Sequence, residues 1–208
     1  TTMNKNKPFG NIASEEHIAT AKQVGEEGIV LLKNQNNVLP IDINKAKKIA
    51  VIGENAIKIM TVGGGSSSLK AKYEILPLDG IKSRFGKQSE IKFARGYVGD
   101  PGGEYNGVKS GQDLKESRSA DELLKEAVEL AKSSDYVIFV GGLNKSEYQD
   151  NEGIDRKSYG LPYNQDNVIS ALAKANKNFA VVLVSGNAVA MPWIKDVPTV
   201  LQNWYLGS

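Results

Sequence analysis

Two uninterrupted apolar runs, Tyr136-Val-Ile-Phe-Val140 and Phe179-Ala-Val-Val-Leu-Val184, constrain this chain more than anything else in it. A strand with one wet face alternates apolar and polar residues, so a run without alternation needs cover on both faces. Lys48-Ile-Ala-Val-Ile-Gly53 has the same character. Stretches of helical period lie between these runs. One opens at Ser119 and carries glutamate three residues on, which is a capping box. Leu123, Leu124, Ala127, Val128 and Ala131 line its apolar stripe. Pro162 stands where another helix can begin, with Val168, Ile169 and Leu172 inward. Leu78 to Phe85 reads as a short helix. The pattern from Ser14 to Leu32 also reads as one helix, with Ser14 as N-cap and Ile18, Ala21, Val24, Gly25, Gly28 and Leu32 near one stripe. The expected strands are Ile49–Gly53, Ile91–Ala94, Tyr136–Val140 and Ala180–Val184, each covered on both faces, with a last one from Val200 to Trp204. This alternation predicts an α/β fold, a three-layer α/β/α sandwich around a mostly parallel sheet with right-handed crossovers.

The length of 208 residues suits one domain with a sizeable core. Residues 1–13 read as a linker and residues 14–208 as the domain, cut at its C-terminal end directly after a strand. Net charge is +2, from 26 basic and 24 acidic residues, which argues against nucleic acid or an anionic membrane as the main partner. No apolar run approaches the roughly 20 residues of a membrane-spanning helix. The chain has no cysteine, which removes thiol catalysis and cysteine-ligated metals. A single histidine, His17, excludes a multi-histidine metal site, and its polar helix start marks it as exposed or as a local cap. The opening TTMNKNKPFG has no apolar signal core, and the sequence assigns no compartment.

In an open parallel sheet, ligands meet the loops at the carboxyl ends of the strands. Two such loops stand out. One contains Gly63-Gly-Gly-Ser-Ser67, where backbone amides and hydroxyls offer hydrogen bonds. Its spacing fits neither a dinucleotide fingerprint nor a phosphate loop, since no lysine follows the last glycine. A plain surface loop, an anion cradle and close backbone approach to another polar ligand stay open. The other loop, NKSEYQDNEGIDR from 144 to 156, holds Glu147, Asp150, Glu152 and Asp155. The acids are misspaced for a calcium loop. Either they form a solvated surface, or one of them is a general acid/base.

Taken together, Glu26-Glu-Gly-Ile-Val-Leu-Leu-Lys-Asn34 with Leu39-Pro40, Ile49-Ala-Val-Ile-Gly53 with Asn55-Ala56, Gly63 to Ser67, and Pro77-Leu-Asp-Gly-Ile81 form an ordered series. Glu152-Gly-Ile-Asp-Arg156 with Leu161-Pro162, Val182-Leu-Val-Ser-Gly186, Met191-Pro-Trp193 and Trp204-Tyr-Leu-Gly207 continue it. The chain resembles the second, α/β sandwich domain of glycoside hydrolase family 3, the β-glucosidase-type enzymes. The resemblance implies a flavodoxin-like general layout and a retaining two-carboxylate mechanism. The nucleophilic aspartate would lie on an N-terminal (β/α)8 barrel, which needs about 250 residues and is not in this chain. That barrel and a β-linked glucoside or oligosaccharide are the implied partners, and no cofactor or metal is implied. The acid/base glutamate would come from the acidic loop, with Glu147 the first choice and Glu152 the runner-up. Gly64, Gly65, Ser66, Ser67 and Tyr148 would border the sugar cleft. Asp155 and Arg156 would form an ion pair at the loop base. A second reading makes the domain a non-catalytic carbohydrate-binding or scaffolding module, with Tyr97, Tyr105, Tyr148 and Tyr159 as candidate sugar-facing aromatics. A nucleotide-binding module is a third and weaker reading.

Overall fold

The structure is a computed structural model that describes residues 5–6, 8–100, 107–205 and the backbone of 104–105. The chain runs α1 (Glu15–Gly28), β1 (Val30–Asn34), β2 (Lys48–Ile52), a 3-10 turn at Glu54–Ala56, α2 (Pro77–Phe85) and β3 (Glu90–Ala94). A small hairpin of β4 (Glu104–Tyr105) and β5 (Val108–Lys109) follows. Then come α3 (Ala120–Lys132), β6 (Tyr136–Gly142), α4 (Gln165–Ala175), β7 (Phe179–Val184) and β8 (Thr199–Gln202).

The main sheet has the order β1-β8-β7-β6-β2-β3. Every neighbouring pair is parallel except β1 with β8. Numbering the five parallel strands in chain order gives 2-1-3-4-5, the flavodoxin-like arrangement. The order reverses between β2 and β6. Connections there leave in opposite directions, so the carboxyl ends of these two strands open onto a crevice.

The apolar runs explain the layers. Alternate residues of one strand point to opposite faces. Ala50 and Ile52 of β2, Val137 and Phe139 of β6, and Val181 and Leu183 of β7 face α3 and α4, where Ala127, Ala131, Val168, Ile169 and Leu172 bury against them. Ile49, Val51, Ile138, Val140 and Val184 face the other side, under Leu78 of α2 and Ala46. The capping box forms at α3: Ser119 Oγ accepts from the Glu122 N–H at 3.3 Å, and Glu122 Oε2 accepts from the Ser119 N–H at 2.8 Å. Such a cap is worth about 1 kcal/mol. Pro162 stands before α4, but a turn with Tyr163 and Asn164 at positive φ intervenes, so the helix starts at Gln165.

Three expectations are corrected. The helix from Ser14 ends at Gly28, and Leu32 lies in a strand instead. That strand, β1, pairs antiparallel with β8 and closes the sheet edge. Helix α1 buries none of its residues, and it is tied at its C-terminal end, where Trp204 Nε1 donates to Gly28 O at 3.0 Å. Strand β3 is not covered on both faces. It is the other edge, and Glu90 and Lys92 alternate outward, paired at 3.1 Å. The last strand covers Thr199–Gln202 rather than reaching Trp204.

Candidate functional site

The loop after β2 and the loop after β6 meet over the crevice at the point where strand order reverses. Backbone bonds stitch them together: the Gly64 N–H donates to Lys145 O at 3.1 Å, and the Glu152 N–H donates to Gly64 O at 3.0 Å. The Ser66 N–H then donates to Glu152 Oε2 at 2.6 Å. Close approach requires Gly65. Its φ is +89°, and a Cβ there would stand 2.5 Å from Glu152 Cβ. Gly64 and Gly65 are therefore explained by close approach to the acidic loop, while the Gly63 N–H donates to Ser68 Oγ at 2.9 Å.

A cleft of about 950 Å³ opens beside this junction. Gly64, Ser66, Ser67, Glu152, Asp155 and Arg156 are among its walls. Glu152 is exposed to it, and Ser66, through its side chain and then its backbone amide, holds the Glu152 carboxyl below the usual range. Glu147 is also exposed but lies outside the cleft lining. Tyr148 is half exposed, has φ +60° and lies under Lys157, whose Nζ is 4.3 Å from its ring centre; it does not line the cleft.

The ion pair expected between Asp155 and Arg156 is not formed. Asp155 is exposed on the cleft. Arg156 instead donates to the Ala188 carbonyl and lies 5.7 Å from the centre of the Tyr159 ring. Its guanidinium thereby ties the acidic loop to the loop after β7. Among the proposed sugar-facing aromatics, Tyr97 is a core residue at 4% exposure, stacked on Tyr163 and donating to Asn55 Oδ1 at 3.2 Å. Tyr159 is exposed on the cleft wall, and the Tyr105 side chain lies outside the described residues. His17 is exposed, and its backbone N–H donates to the Ser14 cap at 3.3 Å.

Sequence reasoning missed one acidic group and the anchoring contacts of another. Glu54, 1% exposed, accepts at Oε2 from Arg95 Nη2 at 2.7 Å, Arg95 Nε at 3.1 Å and the Gly99 N–H at 2.7 Å, while Lys58 Nζ lies 3.4 Å from Oε1. A signal existed. Ile52 and Ala94 are register partners at the carboxyl ends of neighbouring parallel strands, and Glu54 and Arg95 lie within two residues beyond those ends. The second is Asp150, whose Oδ2 accepts from the Gly186 N–H at 2.6 Å and whose Oδ1 accepts from Asn187 Nδ2. Below them, Tyr163 donates to Asp100 Oδ2 at 2.6 Å and accepts from Asn144 and Gln149, which holds the start of the acidic loop. Burial, with the Asp100 bond, pushes the Tyr163 hydroxyl up to about 12. This tyrosine is thus a fixed neutral donor.

The arrangement can present the exposed carboxylates of Glu152 and Asp155, backbone amides and hydroxyls to a polar ligand of sugar size. Comparison with known proteins agrees. Residues 29–208 match the model of the glycosyl hydrolase family 3 C-terminal domain. The chain is similar to Beta-glucosidase BoGH3A of Bacteroides ovatus, 49% identical over 214 residues, covering 100% of this chain and 28% of that protein. It is also similar to a Beta-xylosidase of Formosa agariphila, 32% identical over 93% of this chain and 25% of that protein. Among solved structures, the GH3 beta-glucosidase of Bifidobacterium adolescentis superposes with a TM-score of 0.76 at 32% identity, covering 97% of this chain and 27% of that one. The chain spans between a quarter and a third of the length of these relatives. With the six-stranded mostly parallel sheet already described, these matches establish that the chain belongs to glycosyl hydrolase family 3 and carries its C-terminal domain.

Proposed function

We propose that this domain supplies the acid/base carboxylate and one wall of the sugar cleft to a retaining β-glycosidase acting on β-linked glucosides, and that Glu152 is that carboxylate. The observation that carries the assignment is that Glu152, and not Glu147, lines the 950 Å³ cleft at the point where strand order reverses. The nucleophile is an aspartate on a (β/α)8 barrel of the full-length protein, facing this cleft. The glucoside preference rests on the name of the BoGH3A relative.

In a retaining mechanism the two carboxyls stand about 5–5.5 Å apart across the scissile bond. Protonated Glu152 gives its proton to the glycosidic oxygen as the barrel aspartate attacks the anomeric carbon. The leaving group departs as an alcohol. Glu152, now a carboxylate, takes a proton from the water that displaces the enzyme ester. Hydrogen bonding from Ser66 favours the carboxylate form needed for the second step. The first step needs the acid form. A barrel seated over the cleft removes water from Glu152 and so raises its pKa.

Leaving-group dependence tests the assignment in the full-length protein. Glu152→Gln should lose roughly 10²–10⁴-fold on an alkyl β-glucoside, the usual worth of general acid catalysis, and far less in the glycosylation step of a dinitrophenyl β-glucoside. Glu147→Gln should resemble the parent on both. The reverse pattern exchanges the roles. If neither variant shows leaving-group dependence, the domain acts as a binding or scaffolding module.

A further inference from the structure

We propose that Asp150 is a positioning residue, one that sets where the Glu152 carboxylate stands without touching substrate; this rests on the reading of Glu152 as acid/base. The acidic loop hangs from β6, which lies between β2 and β7 in the sheet. The loop is tied to the loops of both neighbours. Toward β2, Glu152 bonds Gly64 and Ser66. Toward β7, Asp150 takes the Gly186 N–H at 2.6 Å on one oxygen and the Asn187 side-chain amide on the other. Its own N–H returns to Asn144 O at 3.1 Å, closing the loop onto its first residues. Two anchors only two residues apart, pulling toward opposite sides, leave Glu152 little freedom to swing along the cleft.

The chemistry of the anchor suits this work. A carboxylate accepting two N–H bonds forms charge-assisted bonds, stronger and shorter than neutral ones. Lys145 and Tyr205 crowd the same spot, with Lys145 Nζ 5.8 Å from the Tyr205 ring centre. Asp150 influences both: its negative charge favours protonated Lys145, against the burial that lowers that lysine, and adds to the burial that raises the Tyr205 hydroxyl. Asp150 is half-buried and lines the cleft beside Glu152, but both of its oxygens are taken, one by Gly186 and the other by Asn187.

The test uses the full-length protein with Asp150→Ala, Asp150→Asn, the exchanged pair Asp150→Asn with Asn187→Asp, and Glu152→Gln as reference. Misplacement of a reacting group by about 1 Å costs up to roughly 10²-fold. Asp150→Ala should lower kcat for an alkyl β-glucoside by about 10–100-fold, with KM little changed and with a smaller loss on a dinitrophenyl β-glucoside. The exchanged pair restores an acceptor for Gly186 and a donor–acceptor contact to position 187, and should recover most of the loss. Equal losses on both substrates, or no recovery in the exchanged pair, would overturn the positioning role even if Asp150→Ala folds poorly, because the exchanged pair keeps the bonds. If Glu152→Gln is leaving-group dependent and the Asp150 variants are not, only this inference fails. If Glu152→Gln is not, the acid/base assignment fails and this inference with it.

Discussion

Two glutamates stand just beyond neighbouring strands of one sheet, and they live in opposite conditions. Glu54, after β2, is buried and saturated: two arginine nitrogens, a backbone N–H and a lysine surround its carboxylate. Glu152, in the loop after β6, has one oxygen bonded to Ser66 and faces an open cleft. A buried carboxylate tolerates burial only when its hydrogen-bonding capacity is filled. Once filled, it has nothing left to offer a substrate. The half-satisfied, exposed carboxylate has. Under the proposed assignment, carboxylates at the carboxyl ends of adjacent strands divide into a strut and a reagent according to how many partners the loops bring.

The largest effect should come from unloading the strut. Glu54→Ala leaves Lys58 buried without its counter-charge and Arg95 with only Glu116, at 3.8 Å, and breaking a buried pair this way costs about 3–5 kcal/mol. Denaturant unfolding should show that loss, with residual activity tracking the folded fraction. Unchanged stability would erase the contrast.

Gly65→Ala attacks the junction between the loops instead. The new Cβ meets Glu152 Cβ at 2.5 Å and sits on a backbone of φ +89°, a conformation costing about 1–3 kcal/mol for a side chain. A smaller stability loss than Glu54→Ala is expected, together with leaving-group-dependent activity loss, because the group displaced is Glu152. Loss of stability alone would mean that the junction does not set the carboxylate.

The smallest effect concerns a half-buried carboxylate whose main partner is one arginine. Glu116 Oε2 lies 2.7 Å from Arg118 Nη2, and hydrogen bonding from the Arg118 side chain and amide lowers its carboxyl from the ordinary 4.5 to about 2. The folded state holds this proton less tightly than the unfolded chain. Its contribution to stability is full above pH 4.5 and fades as pH falls toward 2. Arg118→Ala should flatten that part of the acid limb of stability slightly. An unchanged acid limb would remove Glu116 from the account.

The strands and most helices were readable because their signals are local. Unbroken apolar runs identified β2, β6 and β7, and Ser119 with Glu122 marked the start of α3. Strand β1 was hidden by its own composition: Val30, Leu31 and Leu32 continue the apolar spacing of α1, and only Gly28 signals the break. The cleft loops were legible as loops, and their glycines as points of close approach. The choice between Glu147 and Glu152 was not. It depends on how the acidic loop is bent, through positive φ at Tyr148 and Gly153, and on bonds from Glu152 to Gly64 and Ser66, more than 80 positions away. Nothing in thirteen consecutive letters encodes that route. The anchoring of Asp150 was unreadable for the same reason, since its partners lie at Gly186 and Asn187.

The contrast between strut and reagent turns on Glu152, and the most direct test is the product formed by Glu152→Gln with azide. The full-length variant is given a dinitrophenyl β-glucoside, whose leaving group needs no proton, and sodium azide. Without a base the glycosyl-enzyme accumulates, and azide attacks it without needing proton removal. Turnover should rise with azide, and a glucosyl azide of β configuration should form, identified by NMR from its anomeric coupling. No azide product from Glu152→Gln, or the same product from Glu147→Gln and not from Glu152→Gln, would contradict the assignment of Glu152.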